Sequence, residues 1–516
     1  MVVKGRKEKA AKKEKVVKKT EDGVGESIKL WNTFRAKSMD KEKRRSLIEK
    51  TLGGHLKGKL FETSLKHDGA RVVQAMIRYG DAPQRAKIQS ELVPRFVELA
   101  KVPYACHVAI ALCRHAFEPQ SFFAAVRGKF AKLGTHATAG PVADALLRHL
   151  AEHSAAGRSL KRKLLSEFFD QEHDTLEGAV AADPARGGRF VAGALRTAQR
   201  LVEKGLAQHL LAHEVFWEVA RAADATQLAE LASSSVEAAP HVAASRPGAL
   251  SVCRLVGAAD PKIRKKILKA FPKDAISHKF AHLVVWRAMA CVDDTVFTNK
   301  QVDLSADVAT HPVGGRVCVW LLRGHLALNQ DEELALAGAS TSKKPDETRR
   351  AELEANALAK LREACVDQPV AFLSSRAGAM VAAELVIHGC EDAAVALAKA
   401  AAVDFPVAAG CAIVDHDVAH ASLKSILQKE AHKGGTIFGR AFFDLVKNDL
   451  AAWASSNRGA FILDALLAYH NNADFAVKTA ATLKPLLQRR DDDAAWANTK
   501  GADALRKNRL ILLHHQ

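Results

Sequence analysis

The chain has 516 residues, 48% of them hydrophobic and 26% charged, and its 76 Lys and Arg against 58 Asp and Glu give a formal net charge of +18. Shares of this size belong to a folded protein and exclude a collagen-like or wholly disordered chain. Aromatic residues make up only 6% while Ala and Leu dominate, which favours helices because both lose little side-chain freedom there.

Residues 1–20 carry nine Lys/Arg and two Glu and hardly any large apolar side chain. Such a segment cannot bury enough surface to order itself, so residues 1–27 are expected to be a disordered basic tail. Its run from Lys4 to Lys19 suits nuclear or nucleolar import and loose RNA contact. From Ile28 the pattern turns amphipathic, with Leu30, Trp31 and Phe34 and then Leu47, Ile48 and Leu52, set among cations such as Lys41, Lys43, Arg44 and Arg45. Residues 1–50 hold 17 Lys/Arg against 8 Asp/Glu. The excess continues to residue 350, and residues 351–516 are close to neutral. A basic field confined to one part of a chain attracts polyanions, and nucleic acid fits it better than a membrane, since no amphipathic Trp/Leu stripe backs the arm.

A weak internal repeat follows. The segment His67-Asp-Gly-Ala-Arg71-Val-Val-Gln74-Ala-Met-Ile-Arg-Tyr-Gly80 reads as a helix stopped by its glycine, and a second apolar helix comes after it. The same shape recurs at Ala105–His115, and again near Pro141, Glu214, Gly248, His282 and Gly315, the last four anchors standing 34, 34 and 33 residues apart. The 73-residue gap between 141 and 214 fits two periods, with a degenerate repeat near 165–200. Helix pairs at such spacing cannot bury their faces singly and stack into an α-solenoid. Residues 28–327 are therefore read as an N-terminal array and 328–352 as a polar linker loop. Residues 353–516 form a second array, with looser units near Met380, His420 and Gly459.

The eight cysteines contain no C-x-x-C pair and sit mostly among apolar neighbours, as at Cys318 and Cys411. They read as reduced core thiols of a cytosolic or nuclear protein. The most apolar stretch, 393–414, is broken by Lys399 and Asp404, so no membrane span is expected. Phosphate-loop, dinucleotide, zinc-protease and serine-hydrolase motifs are missing. The pair His209 and His213 lacks further ligands at metal spacing, so capping or surface roles are expected for the histidines. Neither an enzyme nor a cofactor or metal is expected.

At these residues the chain resembles a known group, the Pumilio-like PUF-A (Penguin-type) subfamily with its C-terminal CPL region. His67 to Gly80 is similar to that group's H-D-x-x-R-V-hydrophobic-Q helix and tyrosine-glycine turn, through Arg71, Gln74, Tyr79 and Gly80. Ala281-His282-Leu283-Val284 followed by Cys291-Val-Asp-Asp-Thr295 resembles its S-H-L-V helix and C-hydrophobic-D-D-T segment. Asp346-Glu-Thr-Arg-Arg350 and Trp453-Ala-Ser-Ser-Asn-Arg458-Gly459-Ala460-Phe-Ile-Leu resemble two CPL landmarks. The resemblance implies an all-α fold of two PUF-repeat arrays in a bent or L-shaped solenoid. It also implies nucleolar residence, a part in large-subunit rRNA processing, and binding to RNA or DNA with little base preference.

A sequence-reading PUF repeat needs two side chains that reach a base edge and one that stacks. Here the sets are Ala70, Arg71 and Gln74; Cys106, His107 and Ile110; Gly140, Pro141 and Asp144; His213, Glu214 and Trp217; Pro247, Gly248 and Ser251; and Ala281, His282 and Val285. Most cannot pair with a base, so a one-repeat, one-base code is rejected, and Trp217 and Trp286 are assigned to the core. Phosphate attraction remains, carried by Arg35, Lys41, Arg44, Arg45, Lys57, Lys59, Arg71, Lys161, Arg162, Lys163, Arg264, Lys265 and Lys266, with Gln74 and His107 as further RNA contacts. The expected partners are RNA (an rRNA precursor in a pre-60S particle), DNA as a second ligand, and other assembly factors, with the chain monomeric outside the particle. Two competing readings are a solenoid scaffold for acidic protein segments and a sequence-specific translational regulator of mRNA.

Overall fold

The computed structural model describes residues 27–469 apart from 55, 117, 170, 171 and 455, together with 481–483, 499–505 and 507. The expected basic tail lies outside the described residues except for its last one, Ser27, where a helix over 27–35 begins. Every regular element among the described residues is a helix, as the Ala- and Leu-rich composition predicts. The chain gathers into two compact units, one up to Leu255 and one from Val256 onward.

In the first unit the repeat is a triplet rather than a pair. A short helix such as Leu60–Ser64 leads into the long helix His67–Tyr79 and then into Ala82–Leu92, and the pattern returns with Phe96–Lys101, Ala105–His115 and Pro119–Val126. The long helices pack side by side in chain order: His67–Tyr79 on Ala105–His115, that on Gly140–His153, and that on Leu210–Ala222. Their inner faces are apolar, with Val73, Met76, Ile77, Val108, Leu112, Leu146 and Phe216 fully buried. Burying each such side chain stabilises by about 1.5–3 kcal/mol, which turns separately unstable helices into a stack. The degenerate repeat near 165–200 is present as Leu176–Ala182 and the 20-residue helix Pro184–Glu203.

The second unit repeats the plan, with Ala281–Cys291, Gly314–Arg323, Arg376–Ile387, Ala419–His432 and Asn457–Leu467 as its long helices. Close approach within a triplet requires a residue without a Cβ. A Cβ added at Gly459 would stand 2.0 Å from the Trp453 carbonyl oxygen on the preceding short helix. At Gly80 a Cβ would stand 2.6 Å from the Met76 carbonyl oxygen, although its φ of −67° is ordinary and the helix ends there with an extended residue. The helix thus stops at its glycine as the sequence suggests, without a left-handed residue.

Histidines start several of the long helices. His136, His278, His311 and His416 each accept two backbone N–H groups through Nδ1, from the residues two and three positions on. Ser245, Ser375 and Ser456 do the same with a hydroxyl oxygen for Gly248, Gly378 and Gly459. These side chains satisfy donors that a helix start leaves orphaned.

Residues 328–352 are only partly a loop. Gln330–Leu336 is a helix opened by an Asn329–Glu332 capping box, and Asp346 begins a helix that runs to Asp367. The strap between them is pinned by buried side chains. Arg287 donates to the carbonyls of Leu336, Gly338 and Ala339 at 2.6, 3.0 and 3.1 Å. Arg349 donates to the Lys344 carbonyl at 2.7 Å, and Asp293 accepts from the Ser342 hydroxyl and from the Lys343 and Lys344 amides. Burial pushes the Asp293 carboxyl up, but these donors, with Arg349 beside it, bring it down to about 2.

Candidate nucleic-acid interface

Each long helix of the first unit turns one stripe outward. In His67–Tyr79 that stripe holds Arg71, Gln74 and Arg78, at spacings of three and four residues that share a helix face. Seven residues beyond the reading position of four repeats stands an arginine: Arg78 after Arg71, Arg114 after His107, Arg148 after Pro141 and Arg221 after Glu214, and Arg254 lies on the next long helix. Four of these are exposed and Arg221 is half-buried. Because the four helices that carry them pack in order, Arg78, Arg114, Arg148 and Arg221 form a row across the stack. At one point the row is dense: burial first, then Arg85, Arg78 and Arg114, hold the imidazole of His115 below its ordinary value.

Carboxylates close part of the row. Arg148 is paired with Asp144 at 2.8 Å, and Arg221 with Glu177 and, at 3.7 Å, with Glu218. Arg78, Arg114 and Arg254 have no carboxylate partner among the described residues. Arg254 instead donates to the Ala220 carbonyl and lies 5.7 Å from the ring centre of Trp217, which Arg221 approaches from 5.9 Å. Trp217 is half-buried rather than a core residue, while Trp286 is fully buried as expected.

The base-reading positions offer little to a base. Ala70, Cys106, Asp144, His213 and Ser251 are buried. His213 has its Nε2 2.9 Å from the Ala207 carbonyl and its Nδ1 2.8 Å from the Ser245 hydroxyl, so Nε2 carries the proton and Nδ1 accepts. Burial brings its pKa down to about 4. Counted back from the N-cap aspartates of the following helices, Asp81 and Asp260, the place of Arg71 falls on the buried Leu250, not on Gly248. Ala281, His282 and Val285 are all buried and contribute to packing.

The expected phosphate contacts divide into three groups. Lys41, Lys57, Lys59, Lys163 and Lys266 are exposed, as is His107, and Gln74 is half-buried. A second group is already engaged. Arg35 and Arg71 lie 4.3 and 5.2 Å from the Trp31 ring centre, so Arg71 has an internal stacking partner. Arg44 donates to the Ala36 and Met39 carbonyls, Arg45 pairs with Asp81, Lys161 with Glu214 at 2.5 Å, Arg162 with Asp174 at 3.2 Å and Lys265 with Asp294 at 2.6 Å.

Arg264 is the clear correction. It is fully buried and donates to the carbonyls of Val256, Gly257 and Cys291 and to the Thr341 hydroxyl. No phosphate reaches it. Arg85 does the same work in the first repeat, donating to the Ile77 and Arg78 carbonyls. Both follow an N-cap aspartate by four residues, Asp81 and Asp260, and both tie off the end of the preceding long helix. That D-x-x-x-R spacing was the available sign that Arg264 is structural.

Among the described residues no group of three His, Cys, Asp or Glu side chains is placed to hold a metal, and no helix is long and apolar enough to cross a membrane. Seven of the eight cysteines are buried and all are free, with Cys318 pushed up to about 12 by its apolar surroundings.

Comparison with known proteins places this architecture. Residues 326–435 match the CPL (NUC119) domain. Pumilio homolog 3 of Rattus norvegicus is 26% identical over 90% of this chain and 76% of its own length, and Pumilio homolog 3 of Homo sapiens is 25% identical over the same shares. Pumilio homology domain family member 6 of Schizosaccharomyces pombe is 24% identical over 89% of this chain and 76% of its own. The crystal structure of human Puf-A superposes with a TM-score of 0.81 at 23% identity, covering 95% of this chain and all of that one. Human Puf-A in complex with DNA gives 0.79 at 23% identity over 94% and 99%. The helical stack is thus a solenoid of PUF-type repeats with the fold of human Puf-A, and the chain resembles the Pumilio homolog 3 proteins along nine-tenths of its length, with a match to the CPL domain at residues 326–435.

Proposed function

We propose that this chain is a nucleic-acid-binding protein that holds RNA through phosphate contacts, largely without base specificity, and serves as an assembly factor for the large ribosomal subunit in the nucleolus. One observation carries the binding mode. Arginines recur at a single helical position across four repeats, while most of the neighbouring base-reading positions are buried, apolar or paired. A row of this kind meets a repeating polyanion and ignores the order of its bases. Relatives named as Pumilio proteins support a nucleic-acid ligand, as does human Puf-A, which forms a complex with DNA. The nucleolar and ribosomal parts of the reading rest on the family resemblance.

The test is a titration of the full chain against two unrelated single-stranded RNAs of equal length. Affinities within about threefold of each other are expected, since base-edge pairs worth about 1–3 kcal/mol each are not available. A preference of a hundredfold for one of them overturns the phosphate reading and favours a sequence-specific regulator. A tagged chain spread evenly through the cell would overturn the nucleolar assignment.

A further inference from the structure

Trp217 lies on the outward stripe of the Leu210–Ala222 helix, seven residues before the N-cap Asp224, as Gln74 lies seven before Asp81. A glutamine at that place can pair with a base edge, whereas an indole has one donor, no acceptor and a broad π face. The stacking place of the same repeat is Glu214, whose carboxylate is held by Lys161 at 2.5 Å, so it cannot serve. Other described tryptophans have close ring partners. Trp286 and Trp320 meet edge to face with centres 5.3 Å apart, Trp453 meets Phe442 at 5.2 Å, and Arg35 stands 4.3 Å from Trp31. The half-buried Trp217 has no aromatic neighbour among the described residues, and its Nε1–H has no acceptor among them. Arg254 and Arg221, at 5.7 and 5.9 Å, stand near the outer limit of a cation–π contact and cover the ring less closely than Arg35 covers Trp31.

We infer that Trp217 is a stacking platform for one unpaired base, which it meets by the face and not by the edge. The charges around the ring favour such a group. Lys161, Arg221 and Arg254 are matched in number by Glu214, Glu177 and Glu218, so the place is close to neutral and selects no anion of its own. A cationic guest is turned away by the two guanidiniums already beside the ring. An apolar peptide anchor needs a desolvated pocket, and here the ring's neighbours are the charged Glu214, Glu218, Arg221 and Arg254. A nucleobase is uncharged and flat, and since every base has a π face, the contact adds affinity without reading sequence. In a duplex that face is covered by the adjacent base pairs, so the platform takes an unpaired nucleotide. The inference rests on the preceding reading only in taking nucleic acid as the ligand.

The experiment is fluorescence anisotropy on the full chain with two labelled single strands of equal length and phosphate count, one intact and one abasic. Trp217→Leu should weaken the intact strand about tenfold, the scale of one lost base stack. It should leave the abasic strand unchanged, which also shows the variant to be folded. Trp217→Phe keeps a ring and should lose less than Trp217→Leu. The intact strand should quench tryptophan emission more in the parent chain than in Trp217→Phe. Replacing Arg78 and Arg114 by Gln should weaken both strands alike and leave the effect of Trp217→Leu in place, so failure of the arginine row and failure of the platform are separable. Equal losses for the two strands in Trp217→Leu, no loss for either, or an equal quench in parent and Trp217→Phe overturns the inference. So does a duplex of the same sequence that Trp217→Leu weakens as much as the intact strand.

Discussion

Two arginines of one chain can have opposite fates that their identity does not reveal. Arg264 sits in a run of cations, Lys262 to Lys266, yet its guanidinium is wholly spent on backbone carbonyls and Thr341, while Lys266 beside it is exposed. Arg264→Met would take this donor from the Val256 and Cys291 carbonyls, Gly257 keeping the Thr341 amide, and should cost about 2–4 kcal/mol. Lys266→Gln should change stability by less than about 0.5 kcal/mol. Denaturant unfolding of the two variants decides the matter, and equal stability would remove the structural role assigned to Arg264. His213 gives the pH counterpart. Its folded pKa of about 4 lies below the ordinary histidine value of about 6.5, so the unfolded chain binds the proton more readily between those values. Its contribution is whole above pH 6.5 and lost as pH falls toward 4. His213→Gln should therefore show a flatter fall in Tm across that interval than the parent chain.

At the scale of elements, the long helices were legible because 11 to 14 residues give enough turns for the 3.6-residue period to show, as in His67–Tyr79 and Ala105–His115. The leading helices were not, because Leu60–Ser64 and Phe130–Gly134 have five residues each, barely more than one turn. The row of arginines could have been found in the sequence from its constant offset of seven. Runs of adjacent cations conceal it, because their members point around the helix rather than along one face. The strap was misread for a related reason: its polar residues look like solvent-exposed loop, but their partners lie about 50 residues away in sequence, at Arg287 and Asp293. Asp293→Ala should free the amides of Lys343 and Lys344, so hydrogen exchange there should quicken while the Gly314–Arg323 helix keeps its protection. Because the Asp293 carboxyl is held at about 2, below its usual value near 4, its stabilising effect is present above that usual value and disappears as pH falls toward 2. Unchanged exchange at the two lysines would show that the strap is held by the arginines alone.

Over the whole molecule, a net charge of +18 does not by itself specify a binding surface, since many of the cations are answered by neighbouring carboxylates. What matters is how many remain unpaired on one face. Arg78, Arg114 and Arg254 meet that condition in the first unit, on three different repeats. If each neutralises one phosphate of a single strand, each contributes about −0.7 to the slope of log affinity against log salt. Replacing all three by Gln should therefore make the slope shallower by about 2. The same number of substitutions at Arg45, Lys161 and Lys265, already paired with Asp81, Glu214 and Asp294, should change it much less. Total charge falls equally in both triple variants, so a diffuse attraction would flatten the two slopes alike. A difference between them can arise only from where the free guanidiniums stand.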